Sequence, residues 1–329
     1  MSSSSRVYPD MLEEAQFAEE IGFSSFAVPE HHFQEGLVVP SSLMMAVKVA
    51  SMTRHARVRT AVIPLPIHHP LRLAGEIALA DHLTDGRLEI GLARGSFEYT
   101  FRRFKMTMDQ SRERFLEAME VLDRLLTETD VRFEGQFIQI EEPTTIMPRP
   151  RQSPRPPFWV GAVSRDSISW AVSKGYSVFT TPLREPLELL RKQSEWFYQS
   201  LKATAGCRQT PVPGLQLLTQ VFPSKDRREI NQALETVVRR QQRSARMLET
   251  AGDVTGGKVA LGGEVLTRDD VEDALIIGGP DEVIEGLLMR KQLGFTGVQL
   301  DMHYHLPEHA AVMRALELMR DEVLPEVLP

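Results

Sequence analysis

The sequence predicts an α/β fold in which parallel strands alternate with amphipathic helices. Three observations carry this expectation. Short apolar runs recur along the chain, helix-length stretches with one apolar face separate them, and the runs are continuous rather than alternating, as in strands buried on both faces. Such a chain closes into a barrel or lays out a doubly wound sheet, and the pattern leaves both open.

Asp10 to Ile21 follows Pro9, carries Leu12, Ala15, Ala18 and Ile21 and stops at Gly22, which predicts a first helix capped by Asp10. Phe23 to Val28 is a strand ending in Pro29, Glu30, His31 and His32. The alternation continues through a helix over Ser41 to Thr53, a strand over Val58 to Leu65, a helix over Pro70 to Leu83 and a strand over Arg87 to Leu92. That last strand runs into Ala93, Arg94 and Gly95. Gln110 to Thr127 is a long amphipathic helix, and Phe158 to Val163, Tyr176 to Thr180, Leu215 to Phe222 and Gly297 to Met302 complete the strands. The proline-rich stretch from Pro143 to Pro157 reads as a stiff surface connector inside a single domain over 1–329, because the strand at Phe158 resumes the alternation at once. Ala251 to Gly279, rich in glycine and charge and longer than an ordinary loop, reads as an insertion, either a mobile active-site lid or a disordered segment.

A net charge of −7 argues against nucleic acid or an anionic membrane as partner and leaves small molecules. The single cysteine, Cys207, excludes an intrachain disulfide and a cysteine metal cluster, which suits the cytoplasm. Neither a signal-length apolar start nor an apolar run of membrane-spanning length is present.

In a parallel barrel, chemistry collects at the carboxyl ends of the strands. Glu30, His31 and His32 stand at one such end and Arg94, flanked by glycines, at another. Arg94 suits a phosphate, with pairing to Glu98 as the competing use. Ser164 and Ser167 open the helix Asp166 to Lys174, where free amides and hydroxyls form an anion site or a simple cap. His31, His32, His68 and His69 are metal-ligand types, yet no H-x-x-x-H or carboxylate arrangement accompanies them in the sequence, so no metal is expected. Phosphate-binding G-x-x-x-x-G-K-[ST], dinucleotide G-x-G-x-x-G and hydrolase G-x-S-x-G motifs are absent. Phe97, Tyr99, Trp196 and His303 are candidate walls of a substrate site, with plain core packing as the alternative.

Several segments together resemble the bacterial luciferase-like family of flavin-dependent monooxygenases. They are Glu19 to Phe23 running into Glu30-His31-His32-Phe33, Pro70 to Arg87 with its Asp81 to Arg87 turn, Gly91 to Gly95 followed by Phe101 to Phe104, Pro156 to Val160, and Gly278 to Val283. The resemblance implies a TIM-like (β/α)8 barrel that takes reduced FMN from a separate flavin reductase and oxygenates a small organic substrate through a flavin hydroperoxide. It implies that His31 is the catalytic histidine, that Arg94, Ser164 and Ser167 hold the FMN phosphate, and that Glu30 and His32 shape the same rim. A homodimer is implied as well. Deazaflavin-dependent hydride transfer on the same barrel and a non-catalytic flavin-binding protein are the alternatives.

Three positions depart from the family pattern. Ala93 stands where luciferase alpha subunits carry a reactive cysteine, so no bioluminescence is expected, and Val163 stands where they carry a glutamate. The apolar strand that precedes the first helix in family members is missing here, since Met1 to Tyr8 offers only Val7 and Tyr8 among serines.

Overall fold

The computed structural model describes residues 4–35, 39–181, 187–204, 212–249, 254–259, 274–302 and 308–328. In chain order the first elements are α1 (Ser4–Glu20), β1 (Ser25–Val28), α2 (Ser42–Met52), β2 (Arg57–Pro64), α3 (Pro70–Leu83) and β3 (Leu88–Ala93). There follow α4 (Glu98–Arg103), α5 (Ser111–Thr127), β4 (Val131–Glu134), β5 (Gln139–Thr144), β6 (Phe158–Gly161), α6 (Arg165–Ser173), β7 (Ser177–Thr180) and α7 (Leu187–Ala203). The last are β8 (Leu215–Pro223), α8 (Arg227–Glu249), β9 (Val254–Thr255), β10 (Lys258–Val259), β11 (Ile276–Gly278), α9 (Pro280–Gln292), β12 (Gly297–Asp301) and α10 (His309–Leu318). All seven expected strands form, each within two residues of its predicted bounds.

The chain divides into two compact units, an early one of 24–161 with 246–262 and a late one of 1–23, 162–245 and 263–329. In the early unit β1, β2, β3 and β6 pair side by side, all parallel. Val58, Ile63, Leu88, Ile90, Leu92, Phe158 and Val160 bury completely or nearly so along this ladder. Ile77 of α3 and Met119 and Leu122 of α5 are buried too, so the helices spend their apolar faces on the core. In the late unit β8 pairs in parallel with β7, β11 and β12. Parallel strands joined by helices are what a (β/α) barrel requires.

The first helix departs from expectation. It begins at Ser4 and carries Pro9 inside it. Asp10 is therefore no cap: it accepts from Arg6 one turn earlier at 3.1 Å. No strand precedes α1 among the described residues, and there β1 has β2 as its one neighbour.

The proline-rich connector is fastened rather than loose. Arg149 donates to the carbonyls of Leu125, Leu126 and Glu128, three of the free acceptors at the end of α5. Gln152 donates twice to the buried Asp81, from its backbone at 2.8 Å and its side chain at 2.7 Å. Of the insertion over 251–279, residues 254–259 form the hairpin β9–β10 and Ile276–Gly278 form β11; 251–253 and 260–273 lie outside the described residues, as do Cys207 and His303.

Candidate functional site

Two strand ends of the early unit deliver the histidines. β1 stops at Val28, and the chain passes through Pro29 into Glu30, which is buried. β2 ends in a single helical turn over Leu65–Ile67, capped by the His68 amide donating to the Leu65 carbonyl at 3.0 Å. The turn swings the His68 imidazole onto the Glu30 carboxylate. His68 Nε2 lies 2.6 Å and His32 Nε2 3.2 Å from the same oxygen, Oε1. The other oxygen, Oε2, accepts from the Ser42 amide at 3.1 Å and the Ser42 hydroxyl at 2.9 Å, at the start of α2. Burial opposes ionisation of Glu30, but hydrogen bonds from His32, His68 and Ser42 prevail and hold its pKa at about 2. Glu30 stands two residues before His32 in the sequence; the fold brings His68 to the same carboxylate from 38 residues away.

His31 points elsewhere. Its amide donates to the Val39 carbonyl at 2.9 Å and its ring lies 5.8 Å from that of Phe97. Desolvation, reinforced by His32, pushes the imidazole down to about 4. His32 packs edge-on to Phe104, and the His32 carbonyl accepts from the Tyr99 hydroxyl at 3.1 Å. Phe97 and Tyr99 stack with centroids 5.7 Å apart, so both expected wall residues stand beside the histidines. Tyr99 is fully buried, hydrogen-bonded to Gln34 as well and packed on Val254.

Arg94 follows the end of β3 and is exposed; among the described residues it has no hydrogen bond or ion pair, and the expected alternative partner Glu98 does not claim it. The glycines around it have separate reasons. A Cβ on Gly91 would lie 2.0 Å from the Thr60 carbonyl oxygen, where the register between β2 and β3 shifts. Gly95 turns the chain at φ +83°, a left-handed conformation that glycine adopts without strain.

In the late unit, Ser164 caps α6. Its hydroxyl accepts from the Ser167 amide at 3.4 Å and donates to the Ser167 hydroxyl at 2.9 Å, Ser164 being exposed and Ser167 half-buried. Trp196 lies on α7 and is partly buried.

Sequence reasoning missed a second polar cluster in the early unit. Glu89 of β3 accepts from Arg57 Nε at 2.6 Å and Arg59 Nε at 2.8 Å, and the Arg59 guanidinium stacks 3.7 Å over the Trp159 ring. The charges sit at the starting ends of β2 and β3, interrupting otherwise apolar runs. That interruption was the available signal.

Residues 1–297 match the family model of luciferase-like monooxygenases. The chain belongs to that family. The chain is 34% identical over 180 residues to the oxygenase component of the flavin-dependent trigonelline monooxygenase of Acinetobacter baylyi, covering 54% of this chain and 49% of that protein. The chain thus matches about half the length of that relative. The crystal structure of the monooxygenase RslO1 from Streptomyces bottropensis superposes with a TM-score of 0.83 at 27% identity, over 98% of this chain and 94% of that one. A secondary alcohol dehydrogenase dependent on F420 shares the fold, with a TM-score of 0.80 at 16% identity over 98% and 96% of the two chains. The TIM-like barrel class is thereby established for this chain. No helix among the described residues is long and apolar enough to cross a membrane.

Proposed function

We propose that this family member is an FMN-dependent monooxygenase that oxygenates a small organic substrate with dioxygen and receives reduced FMN from a separate flavin reductase. The observation that carries the cofactor reading is Arg94: an exposed guanidinium at a strand end, without a partner among the described residues. Such a group fits a phosphate. Ser164 and Ser167, at the start of α6 in the other unit, have the hydroxyls and free helix amides that fit the same chemistry.

Reduced FMN, when bound, supplies the electrons that activate dioxygen. The protein's residues would bind, orient and shield it. Arg94 would fix the phosphate. His31, held against Phe97, would hold or move a proton at the reacting centre, and Glu30 with His32 and His68 would keep the rim in shape. The apolar surfaces of Phe97 and Tyr99 would exclude water. That the Acinetobacter relative is an oxygenase component supports a reductase partner. The homodimer rests on family resemblance alone, and sedimentation measures it.

The deciding experiment is an anaerobic titration with FMN, oxidised and dithionite-reduced in parallel, on the wild type and Arg94→Ala. Tight binding of reduced FMN that the substitution weakens more than tenfold supports the reading. No binding in either state by folded protein overturns it. A parallel titration with a deazaflavin tests the second reading, which the shared fold of the F420-dependent dehydrogenase favours. A His31→Asn variant that binds reduced FMN normally but forms no oxygenated product would give His31 its chemical role; flavin retention with no product from the wild type plus reductase would mark a binding protein.

A further inference from the structure

We infer that Glu30, His32 and His68 form a binding site for one zinc-type divalent cation. The site belongs to the early unit and does not rest on the flavin reading. Glu30 Oε1, His32 Nε2 and His68 Nε2 lie within 4.8 Å of one another, two imidazoles and a carboxylate, a donor set that suits zinc and first-row transition metals rather than magnesium or calcium. Zinc held tetrahedrally at about 2.0–2.1 Å puts its ligand atoms about 3.3 Å apart. The contact of His32 to Glu30, at 3.2 Å, already has that spacing. The 2.6 Å contact of His68 must open by about 0.7 Å. His68 can give way, since its side chain is 27% exposed and stands at the end of a single helical turn.

The surroundings are those of a ligand set. Both Ser42 bonds fall on Oε2 and leave Oε1 to the cation while fixing the plane of the carboxylate. His32 and His68 reach solvent, so a cation can enter and a water can complete the coordination. An imidazole that binds through Nε2 gives up the proton there, to Nδ1 in the neutral ring or to solvent from the charged one. No electron transfer is involved.

The test is calorimetric titration of tag-free, metal-stripped protein with zinc chloride, with magnesium chloride in parallel, on the wild type, His68→Ala, Glu30→Gln and His69→Ala. His69 is exposed, adjacent in sequence and outside the cluster, and serves as control. One zinc per chain is expected, weakened at least tenfold by His68→Ala and unchanged by His69→Ala, with no magnesium binding. X-ray absorption should show nitrogen and oxygen neighbours without sulfur. Glu30→Gln disturbs a buried group and counts only if circular dichroism shows it folded; His68→Ala removes a part-exposed ring and keeps the test decisive. Absence of zinc binding to the wild type, or binding that survives His68→Ala, overturns the inference.

Discussion

At the starting ends of β2, β3 and β6 every charge is answered: Glu89 takes Arg57 and Arg59, and Arg59 lies flat on Trp159. At the finishing ends of β2 and β3 the polar groups reach solvent. His68 shares one oxygen with His32, and Arg94 has no partner among the described residues. The same strands therefore serve two demands. A closed charge layer with a nearly buried guanidinium contributes fold specificity and tolerates no loss, whereas an exposed group such as Arg94, without a partner among the described residues, contributes little to stability and remains available to a ligand.

Substitutions can break this contrast. Glu89→Ala removes the carboxylate that faces Arg59, whose side chain is 3% exposed, and should cost about 3–5 kcal/mol in urea unfolding. Equal stability of that variant and the wild type would dissolve the contrast. Gly91→Ala places a methyl 2.0 Å from the Thr60 carbonyl oxygen and should cost on the order of 3 kcal/mol, readable as a lowered unfolding midpoint. Arg94→Ala should leave stability within about 0.5 kcal/mol while weakening reduced FMN by about 1.5–3 kcal/mol, the worth of a hydrogen bond to a charged group. Ser164→Ala in the late unit should lose only about 0.5–1 kcal/mol of stability through its cap.

A histidine of the late unit sharpens the comparison. His309 Nδ1 lies 2.9 Å from Glu14 and Nε2 3.3 Å from Glu13, and the bond to Glu14, with the charges of Asp10 and Glu13 besides, raises its pKa above the usual 6.5. A raised folded pKa means that the pair's stabilisation is fully present below about pH 6.5 and fades as pH climbs through the folded value. The expected effect is the smallest here, because the pair is partly exposed. Comparing unfolding at pH 6 and pH 8.5 for wild type and Glu14→Gln measures it: the wild type should lose more of its stability on going to high pH.

The legible parts of the fold are those where burial writes itself into the sequence. β3 is buried at five successive positions and was readable as Arg87 to Leu92. β4 and β5 are mostly exposed, with Glu134, Gln139, Glu141 and Glu142 on them, and no apolar run announces them. β11 spans three residues, too short for any period to show. The helix start at Asp10 misled because Asp after Pro reads as a cap, while Arg6 one turn earlier takes its carboxylate. The strand-end rule singled out Glu30, His31, His32 and Arg94 as candidates, but the cluster of Glu30 with His68 joins two strand ends 38 residues apart, a spacing that no local pattern encodes. Tyr99, left open between wall and core, is fully buried and bonded to the His32 carbonyl.

The hairpin β9–β10 carries a consequence for the order in which the protein is made. The Gly257 carbonyl accepts from Glu35 and the Val254 carbonyl from Arg103, 151 residues earlier in the chain. Strands β1, β2 and β3 can pair as soon as they leave the ribosome, yet the face formed by Glu35, Tyr99 and Arg103 waits for a segment translated about 8–30 s later at about 5–20 residues per second. During that interval Tyr99 lacks its packing against Val254. A nascent chain halted before residue 254 should therefore expose an aromatic face that the finished protein hides, and that face is where a chaperone would find its grip.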